Sequence, residues 1–497
     1  MSLFFCYPFI VSGLYYFALS GLLIYGFHRI WLLFCVHRKK KELALISNVL
    51  TSSDRDRRIT VQLPIYNERF VAARLLDSVA QFEWPSDRLE IQVLDDSTDD
   101  TKGIIDRRVE YWSKKGIFIK VLRRINRNGF KAGALKEGLR HAKGDFIAIF
   151  DADFVPPSDF LIRTMPYFAD PGVGMVQGRW GFLNTGHTWF TRIQALLLAP
   201  HFEIEHYVRF RRGLLFNFNG TAGIWRRKAI KSAGNWQSDT VTEDLDLSYR
   251  AQLKGWQFVY LNDLIVPSEL PLTLGALRTQ QQRWAKGSIQ SAKKILPALI
   301  SSKSFSLEQK LESVFHLLAN MGWLLGTIIT LALYPVIYWR VDTGPYQLLR
   351  LDIPLFLGSS GAIMLYFLYY ATSRKEENLY TGVILLPIFA IGMAPSIALS
   401  VLAGFIKKGG YFKRTPKFGC LEKGYLPANV LQYYNKNIIF IFLNLFFLIY
   451  TLLPLFLSAH RGTWIAAPFL AIFPLGFILV IIKELREIIQ ASKTTIC

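Results

Sequence analysis

Residues 145–153 read DFIAIFDAD, a short apolar run that ends in two aspartates separated by one residue. A run of this length with polar neighbours predicts a buried β-strand, here Asp145–Phe150. Three similar runs precede it, and polar-faced segments with helical spacing separate them: Ile59–Ile65, Leu89–Leu94 and Ile117–Leu122. This alternation predicts an α/β fold, a doubly wound parallel sheet within residues 58–287.

Acidic residues follow two of the predicted strands. Asp95 and Asp96 come after Leu94, and Asp151 and Asp153 come after Phe150. Ligands of such sheets bind at the carboxyl ends of the strands, so we expect the two acidic strand ends to be neighbours at a binding site. Two carboxylates one residue apart can face a hard divalent cation that bridges a diphosphate. A lone Asp-x-Asp is equally common as a turn or helix cap.

Two further segments carry candidate ligand contacts. Residues 126–134 read NRNGFKAGA and open a helix with basic residues at its mouth, which suits a phosphate or, alternatively, a solvated basic loop. Thr242-Glu243-Asp244 opens a predicted helix from Glu243 to Lys254. The helix dipole favours an ionised carboxylate there, which could act as a general base, although an ordinary acidic cap has the same pattern.

The composition is too apolar for an ordinary soluble protein. Residues of the hydrophobic class make up 51% of the 497 residues, and the mean hydropathy is +0.24. The formal net charge of +21 predicts an anionic partner, phospholipid or nucleotide. The basic residues lie mostly beside apolar segments, so no nucleic acid is expected. The four cysteines lack the spacing of a disulfide framework or a zinc site.

The apolar segments predict a multi-pass membrane protein with the soluble part inserted between its spans. Phe9–Val36 precedes the basic run His37–Lys41 and is interpreted as a retained anchor. The predicted domains are an anchor at 1–41, a cytosolic domain at 42–287, and interfacial and membrane helices at 288–497. Four more full spans are expected: Val314–Trp339, Leu351–Ala371, Ile438–Leu457 and Trp464–Ile482.

Two apolar segments are not expected to cross the membrane. Ala285–Ile300 has lysines along one side and is predicted to lie in the membrane surface. Tyr380–Phe405 contains Pro387, Gly392 and Pro395, and basic clusters flank it on both sides. The positive-inside rule therefore makes it re-entrant or interfacial, with five full spans, an outside N-terminus and a cytosolic C-terminus.

The order of the motifs resembles the inverting family 2 glycosyltransferases, in particular the processive, cellulose synthase-like enzymes that make glucan or mannan backbones. The residues that carry the resemblance are Asp95-Asp96, Asp151-x-Asp153, Phe218–Gly223, Thr242-Glu243-Asp244 and Gln280-x-x-Arg283-Trp284. The resemblance implies a nucleotide-sugar-binding domain of the GT-A type between transmembrane helices.

The resemblance also implies roles for individual residues. Tyr66, Glu68, Asp95 and Asp96 would bind the nucleoside, Lys131 the diphosphate, and Asp151 and Asp153 a Mg²⁺ or Mn²⁺ ion. Asp244 would be the base that deprotonates the acceptor hydroxyl, with Asp153 and Arg283 also catalytic. Glu243, Gln280 and Arg283 would hold the acceptor or the diphosphate, and Trp284 would stack under the acceptor sugar, although a tryptophan here could also be an interfacial anchor.

Residues 412–417, FKRTPK, are similar to the Phe-x-Val-Thr-x-Lys gating loop of cellulose synthases. The likeness implies that Thr415 and Lys417 face the nucleotide, while Arg414 stands where the pattern has valine. A basic cytosolic loop without a catalytic role is the alternative.

The expected function is therefore polymerisation of a β-linked hexan, a β-1,4-glucan or (gluco)mannan, from UDP-glucose or GDP-mannose, with translocation of the product. The expected partners are the donor, the growing polysaccharide, the lipid bilayer and possibly a second copy of the chain. Two alternatives are a synthase that adds a single hexose to a membrane lipid, and a non-catalytic nucleotide-binding membrane scaffold.

Overall fold

The computed structural model describes residues 2–37, 52–340, 348–374, 378–411, 413–419, 438–462 and 464–494. The basic residues 38–41, the start of the predicted cytosolic domain at 42–51, and Phe412 lie outside the described residues. The described chain forms an α/β unit that is flanked in sequence by long apolar helices.

A seven-stranded sheet forms the centre of the α/β unit, in the order β3-β2-β1-β4-β6-β5-β7. Its strands are β1 Ile59–Ile65, β2 Leu89–Asp95, β3 Ile119–Leu122, β4 Phe146–Ile149, β5 Val173–Phe182, β6 Gly223–Arg226 and β7 Gln257–Ser268. The four strands predicted from the sequence are confirmed, with ends that differ by two residues or fewer. Alternate residues of β4 pack into two hydrophobic cores on opposite faces of the sheet. Phe146 and Ala148 belong to one core, and Ile147 and Ile149 belong to the other.

The sheet is mixed, whereas the sequence predicted a parallel one. The strands from β3 to β4 are parallel, but β6 runs antiparallel to both β4 and β5. The chain enters β6 through a tight turn in which Gly220 and Ala222 both have positive φ angles of 80° and 56°. This turn reverses the chain at the edge where the acidic strand ends lie.

The sequence predicted that the two acidic strand ends are neighbours, and this prediction is wrong. Strand β1 lies between β2 and β4, with Ile65 in register with Asp95. The ends of the three strands nevertheless share one edge, so residues after β1, β2 and β4 still converge there.

Short helices cover both faces of this sheet and connect its strands. They are α2 Ser52–Arg55, α3 Ala72–Ala80, α4 Thr101–Lys114, α5 Phe130–His141, α6 Phe160–Thr164, α7 Trp189–Pro200, α8 Tyr207–Arg211, α9 Arg227–Ser232 and α10 Glu243–Leu253. A π-helical turn, His201–His206, joins α7 to α8. Helix α10 begins at the predicted residue, Glu243.

The C-terminal part of the described chain is helical, and α1 Ser2–His37 packs against it. Its helices are α11 Leu274–Ser301, α12 Leu307–Leu317, α13 Met321–Arg340, α14 Ile353–Phe356, α15 Ala362–Arg374, α16 Asn378–Ile406, α17 Ile438–His460 and α18 Ala467–Thr494. The predicted surface segment Ala285–Ile300 is the second part of α11. The first part of α11 is fastened to α18, because Arg278 pairs with Glu484 at 3.0 and 2.9 Å and both side chains are buried.

Six helical segments of the described chain are long and apolar enough to cross a membrane, which supports a multi-pass membrane protein. They are Phe9–Val36, Met321–Trp339, Arg350–Arg374, Leu379–Ile406, Ile438–His460 and Ala467–Gln490. The sequence predicted five, with Tyr380–Phe405 interrupted by its prolines and glycine. That interruption is wrong, since α16 is continuous.

Helix α16 packs against α7 of the α/β unit and against α11, α13 and α18 of the C-terminal part. Phe389 contacts Phe190 of α7 with ring centroids 5.8 Å apart. Gln282 and Gln290 of α11 donate to the carbonyls of Ser396 and Lys407 at 2.9 and 2.8 Å. In the apolar part of α16, 61% of the residues are buried inside the protein, against 22–33% in the other five candidate spans. The re-entrant or interfacial position of this segment stays a prediction.

Candidate active site

One cavity lies at the carboxyl ends of β1, β2 and β4. Of the residues assigned from the sequence, the following line it: Tyr66, Glu68, Asp96, Lys131, Asp151, Asp153, Glu243, Asp244, Gln280, Arg283, Trp284, Thr415 and Lys417. The structure therefore brings together side chains that are up to 351 residues apart, from Tyr66 to Lys417.

Asp95 is the exception, because it does not line this cavity. Its carboxylate is buried beneath the edge, where Oδ2 accepts a hydrogen bond from Arg123 Nε at 2.8 Å and Oδ1 accepts one from the Ser97 backbone at 2.9 Å. Asp96 points the other way and pairs with Arg124 at the cavity wall. Asp95 therefore shapes the turn after β2, and Asp96 is the member of the pair placed for ligand contact.

Asp151 and Asp153 both face the cavity, and each is paired with a lysine. Asp151 Oδ1 lies 2.5 Å from Lys131 Nζ, and Asp153 Oδ2 lies 2.7 Å from Lys417 Nζ. Burial raises the pKa of Asp151, and the Lys131 ammonium opposes that rise. Burial also lowers the pKa of Lys131, but Asp151 and Glu243 outweigh it and the net pKa is raised. The two carboxylates are thus held by cationic groups.

The side chains of Asp151 and Asp153 fit a divalent cation in ligand chemistry, since both offer the oxygen atoms that Mg²⁺ and Mn²⁺ prefer. Among the described residues, no group of three or more His, Cys, Asp or Glu side chains is placed to hold a metal ion. Mg²⁺ is usually bound by one or two carboxylates together with water and substrate phosphates, and the pair Asp151 and Asp153 fits that arrangement.

Asp244 and Glu243 open α10 at the wall of the same cavity. The Leu245 backbone N–H donates to Asp244 Oδ1 at 2.9 Å. Burial nevertheless raises the pKa of Asp244, and burial together with Asp244 raises the pKa of Glu243 to about 7. Desolvation therefore opposes the stabilising effect of the helix N-terminus on the ionised carboxylate.

Gln280, Arg283 and Trp284 project from one face of α11, because positions three and four apart are neighbours on a helix. Burial lowers the pKa of Arg283, against the opposing effect of Glu243 and Asp151. The Oε1 atom of Gln280 is buried and has no hydrogen-bond partner within the described chain. This face thus presents an amide, a guanidinium and an indole to the cavity that contains the carboxylates.

The loop of residues 413–419 closes the cavity from the membrane part of the chain. Arg414 forms a two-pronged salt bridge with Glu68, with both nitrogen–oxygen distances at 2.8 Å. Burial raises the pKa of Glu68 to about 7 although Arg414 opposes it. The Lys417 ammonium donates to Asp153 and to the Glu269 carbonyl. The cavity is therefore covered by a basic loop held through carboxylates of the α/β unit.

Three further residues belong to this site: Glu269 has no role in the sequence interpretation, whereas Arg127 and Asn219 fall within the predicted segments 126–134 and 218–223. Glu269 accepts hydrogen bonds from the Phe418 and Gly419 backbones at 3.4 and 3.1 Å, and so holds the loop. Arg127 stacks on Tyr66, with its guanidinium carbon 3.3 Å from the ring centroid. Asn219 forms the wall beside Asp244. An acidic residue directly after the long strand β7 was the available signal for Glu269, whereas the other contacts depend on tertiary structure.

Known proteins match the same part of the chain. The model of the family described as "Glycosyltransferase like family 2" matches residues 57–287. Glucomannan 4-beta-mannosyltransferase 7 of Arabidopsis thaliana is 44% identical over 284 residues, which are 56% of this chain and 51% of that protein. Probable glucomannan 4-beta-mannosyltransferase 7 of Oryza sativa subsp. japonica is 36% identical over 365 residues, 72% of this chain and 60% of that protein. The chain thus spans about half the length of the curated relatives it matches.

A solved structure has a related fold. The mannosyltransferase PcManGT from Pyrobaculum calidifontis, determined in complex with GDP-Man and Mn²⁺, superposes with a TM-score of 0.52 at 20% identity. The match covers 80% of this chain and 98% of that one. At this level of identity the likeness concerns the fold alone.

Proposed function

Because residues 57–287 form a domain of the glycosyltransferase family 2, we propose that this protein is a membrane-embedded, inverting glycosyltransferase that polymerises a β-linked hexan. The observation that carries the proposal is the convergence of Asp244, Asp151, Asp153 and Arg283 in one cavity. An inverting displacement requires one base on the acceptor side and charge neutralisation on the leaving group, and these side chains supply both.

The reaction is a single in-line displacement. An acceptor hydroxyl gives its proton to Asp244 as its oxygen forms a bond to the anomeric carbon of the donor sugar. The bond from that carbon to the diphosphate oxygen breaks, and the nucleoside diphosphate leaves with the electron pair. Lys131 and Arg283 are placed to neutralise the charge that develops on the diphosphate. No covalent intermediate on the protein is needed.

Asp151 and Asp153 are the residues that would hold a Mg²⁺ or Mn²⁺ ion. The ion would supply charge neutralisation on the diphosphate oxygens. Lys131 and Lys417, which pair with these carboxylates, are then free to bind phosphate oxygens directly. Tyr66 directly follows β1 and Asp96 directly follows β2, and we assign both residues to the nucleoside.

Mannose is the sugar we assign to the donor, as GDP-mannose, because the curated relatives are named glucomannan mannosyltransferases. UDP-glucose is the second donor to test, since a glucomannan contains both sugars. Trp284 offers an indole face to the acceptor sugar at the end of the cavity. Secretion of the polymer through the chain's own spans and a cytosolic catalytic unit are part of the proposal.

The proposal is tested by incubating membranes that contain the full chain with radiolabelled GDP-mannose or UDP-glucose and Mn²⁺ or Mg²⁺. We expect an insoluble product that a β-1,4-mannanase digests. A label found only in the organic extract would contradict polymer synthesis and identify a glycolipid synthase. Asp244→Asn is expected to bind donor but to transfer about 10²–10⁴-fold more slowly, the usual contribution of a positioned base. Unchanged turnover in that variant would contradict the assigned mechanism.

A further inference from the structure

His206 lies behind the wall of the cavity, at the end of the π-helical turn His201–His206. Its imidazole is completely buried and lies between the rings of Phe202 and Tyr260, with centroid separations of 5.9 and 5.4 Å and interplanar angles of 13° and 24°. Single π-helical turns inside helices are frequent at functional sites. The ring is thus fixed in place although it does not line the cavity.

The imidazole contacts one side chain that does line the cavity. His206 Nε2 lies 3.2 Å from Asn219 Nδ2. The Asn219 backbone N–H donates to Gln177 Oε1 at 3.2 Å, which fixes the start of the tight turn before β6. The Oδ1 atom of Asn219 is buried and has no hydrogen-bond partner among the described residues. The Nδ2 atom of this amide is therefore held by His206, while the Oδ1 atom has no partner among the described residues.

Gly220, the neighbour of Asn219, lies directly beside the proposed base. A Cβ atom on Gly220 would lie 2.8 Å from Asp244 Oδ2 and 3.3 Å from Lys131 Nζ. The Gly220 carbonyl accepts a hydrogen bond from Lys131 at 2.9 Å. Any side chain at 220 would thus collide with Asp244, so the turn brings Asn219 to the acceptor side of the site.

The electrostatic surroundings keep His206 neutral. Burial lowers its pKa well below the ordinary value, and the nearby His201 and Arg209 lower it further. A neutral imidazole has one nitrogen that accepts and one that donates. With Nε2 as the acceptor it takes a hydrogen bond from Asn219 Nδ2, which sets the rotation of the amide and leaves Oδ1 as a fixed acceptor.

We infer that Asn219 accepts a hydrogen bond from a hydroxyl of the acceptor's terminal sugar, adjacent to the hydroxyl that Asp244 deprotonates, and that His206 is the positioning residue for the Asn219 amide. This inference rests on the proposed function. A sugar hydroxyl suits the site because it can donate to Oδ1, which an ionised diphosphate cannot do. The closeness of the turn to Asp244 assigns this hydroxyl to the acceptor sugar and not to the donor sugar.

The test compares Asn219→Ala, His206→Phe and His206→Gln with the wild-type full chain. His187→Phe is the matched control, since His187 is also buried and its ring nitrogens have no hydrogen-bond partner in the described part of the chain. Initial rates are measured at saturating GDP-mannose with a soluble β-1,4-linked manno-oligosaccharide as primer. Hydrolysis of the donor to free mannose is measured in parallel.

We expect Asn219→Ala and His206→Phe to raise the KM for the primer about tenfold, the effect of one lost hydrogen bond. The ratio of donor hydrolysis to transfer should rise, while the KM for GDP-mannose stays within about twofold of wild type. His206→Gln should recover most of the loss, because the glutamine amide can bring an acceptor atom to the position of Nε2. His187→Phe should leave the primer KM and the hydrolysis ratio unchanged.

The inference is overturned if both variants keep the wild-type primer KM, if only the donor KM changes, or if His206→Gln is as impaired as His206→Phe. Thermal unfolding is recorded for every variant, and if His206→Phe does not fold, Asn219→Ala and His206→Gln decide the outcome. A wild-type protein that transfers no sugar would instead contradict the proposed function. A wild-type protein that transfers normally, with unaffected variants, contradicts the inference alone.

Discussion

Lys417, in the loop of residues 413–419, donates a hydrogen bond of 2.7 Å to Asp153, which follows β4 and lies 264 residues earlier in the chain. The ammonium occupies one oxygen of a carboxylate that is assigned to a divalent cation. Lys417 and a cation would therefore compete for the Asp153 carboxylate. We expect closure of the loop over the cavity to depend on whether a cation is bound there.

We predict that Lys417→Ala increases the affinity of the nucleotide-free protein for Mn²⁺, because Asp153 loses its paired ammonium. The expected gain is about tenfold to a hundredfold, since a hydrogen bond between charged, largely buried groups contributes about 1.5–3 kcal/mol. Mn²⁺ titration followed by electron paramagnetic resonance measures it. Lys413→Ala, on the same loop but without a hydrogen bond or ion pair described to the cavity, is the control. Equal Mn²⁺ affinity in wild type and Lys417→Ala would contradict the competition.

Replacing Arg414 by valine, the residue of the similar gating loops, tests the second attachment of the loop. Arg414→Val removes the salt bridge to Glu68 and leaves a buried carboxylate whose pKa is already raised to about 7. We expect the loop to open more often, with faster proteolysis at residues 413–419 and an unchanged thermal midpoint. Proteolysis at the wild-type rate would show that Glu269 alone suffices to hold the loop.

The raised pKa values of Asp244 and Glu243 predict an acid limb in the activity profile. The base must be ionised, so the rate is highest above the raised pKa and falls as pH decreases through it. Because burial raises the pKa of Asp244, we expect kcat to decline as the pH falls, at a higher pH than an exposed aspartate would give. Glu243→Gln removes a neighbouring like charge and should move the limb to lower pH. A limb that stays in place in this variant would contradict the coupling of the two carboxyls.

The same shift has the opposite consequence for stability. A folded-state pKa above the unfolded one means that the folded protein binds more protons, so the contribution of Glu243 to stability is present below its unfolded pKa and is lost as pH rises through about 7. Activity and stability therefore respond to pH in opposite directions at this residue.

Arg209 is predicted to be the most sensitive position of the buried ionic network. Its guanidinium is 1% exposed and pairs with Glu312 at 2.9 Å and Glu205 at 3.2 Å. Arg209→Met would remove the guanidinium that Glu312 and Glu205 share, at a cost of up to about 3–5 kcal/mol. Glu312 would then keep its contact with His28, and Glu205 would keep Arg29 and His201. Arg140→Met, which removes a surface pair with Glu137 at 2.9 Å, should cost about 0–1 kcal/mol. Thermal unfolding in detergent compares the two, and similar midpoints would contradict the prediction.

The position of α16 can be tested with single cysteines at Asn378 and Ile406 in a background without the native cysteines. If the helix lies at the interface, a membrane-impermeant thiol reagent labels both positions from the same side. Ile438 and His460, at the two ends of α17, are the control and should label from opposite sides. Labelling of Asn378 and Ile406 from opposite sides would make α16 a sixth transmembrane span.

The strands and the motif residues could be predicted from the sequence because their signals are local. Ile59–Ile65 is bounded by polar residues and becomes β1 with the same ends. Asp151, Asp153 and Asp244 follow or begin regular elements, and strand ends gather at one edge by the geometry of the sheet.

The remaining features depend on contacts that local patterns do not contain. The antiparallel β6 follows from a turn with positive φ angles, and Lys417 reaches Asp153 across 264 residues of sequence. The raised pKa of Asp244 results from burial by other elements, which outweighs the local effect of the helix N-terminus. Asp95 does not line the cavity, because its carboxylate is held by Arg123, which lies 28 residues further along the chain.

The attachment of α11 to α18 has a practical consequence. The Leu274 backbone N–H donates to Glu487 at 2.9 Å and Arg278 pairs with Glu484. These contacts lie within the two turns of α11 that precede Gln280, Arg283 and Trp284. A fragment that ends at Gly287 would retain every sequence motif up to Trp284 but would lose the carboxylates that orient their helix. Such a fragment is therefore a poor reagent for crystallisation or inhibitor screening, and useful material must retain the chain through Glu487.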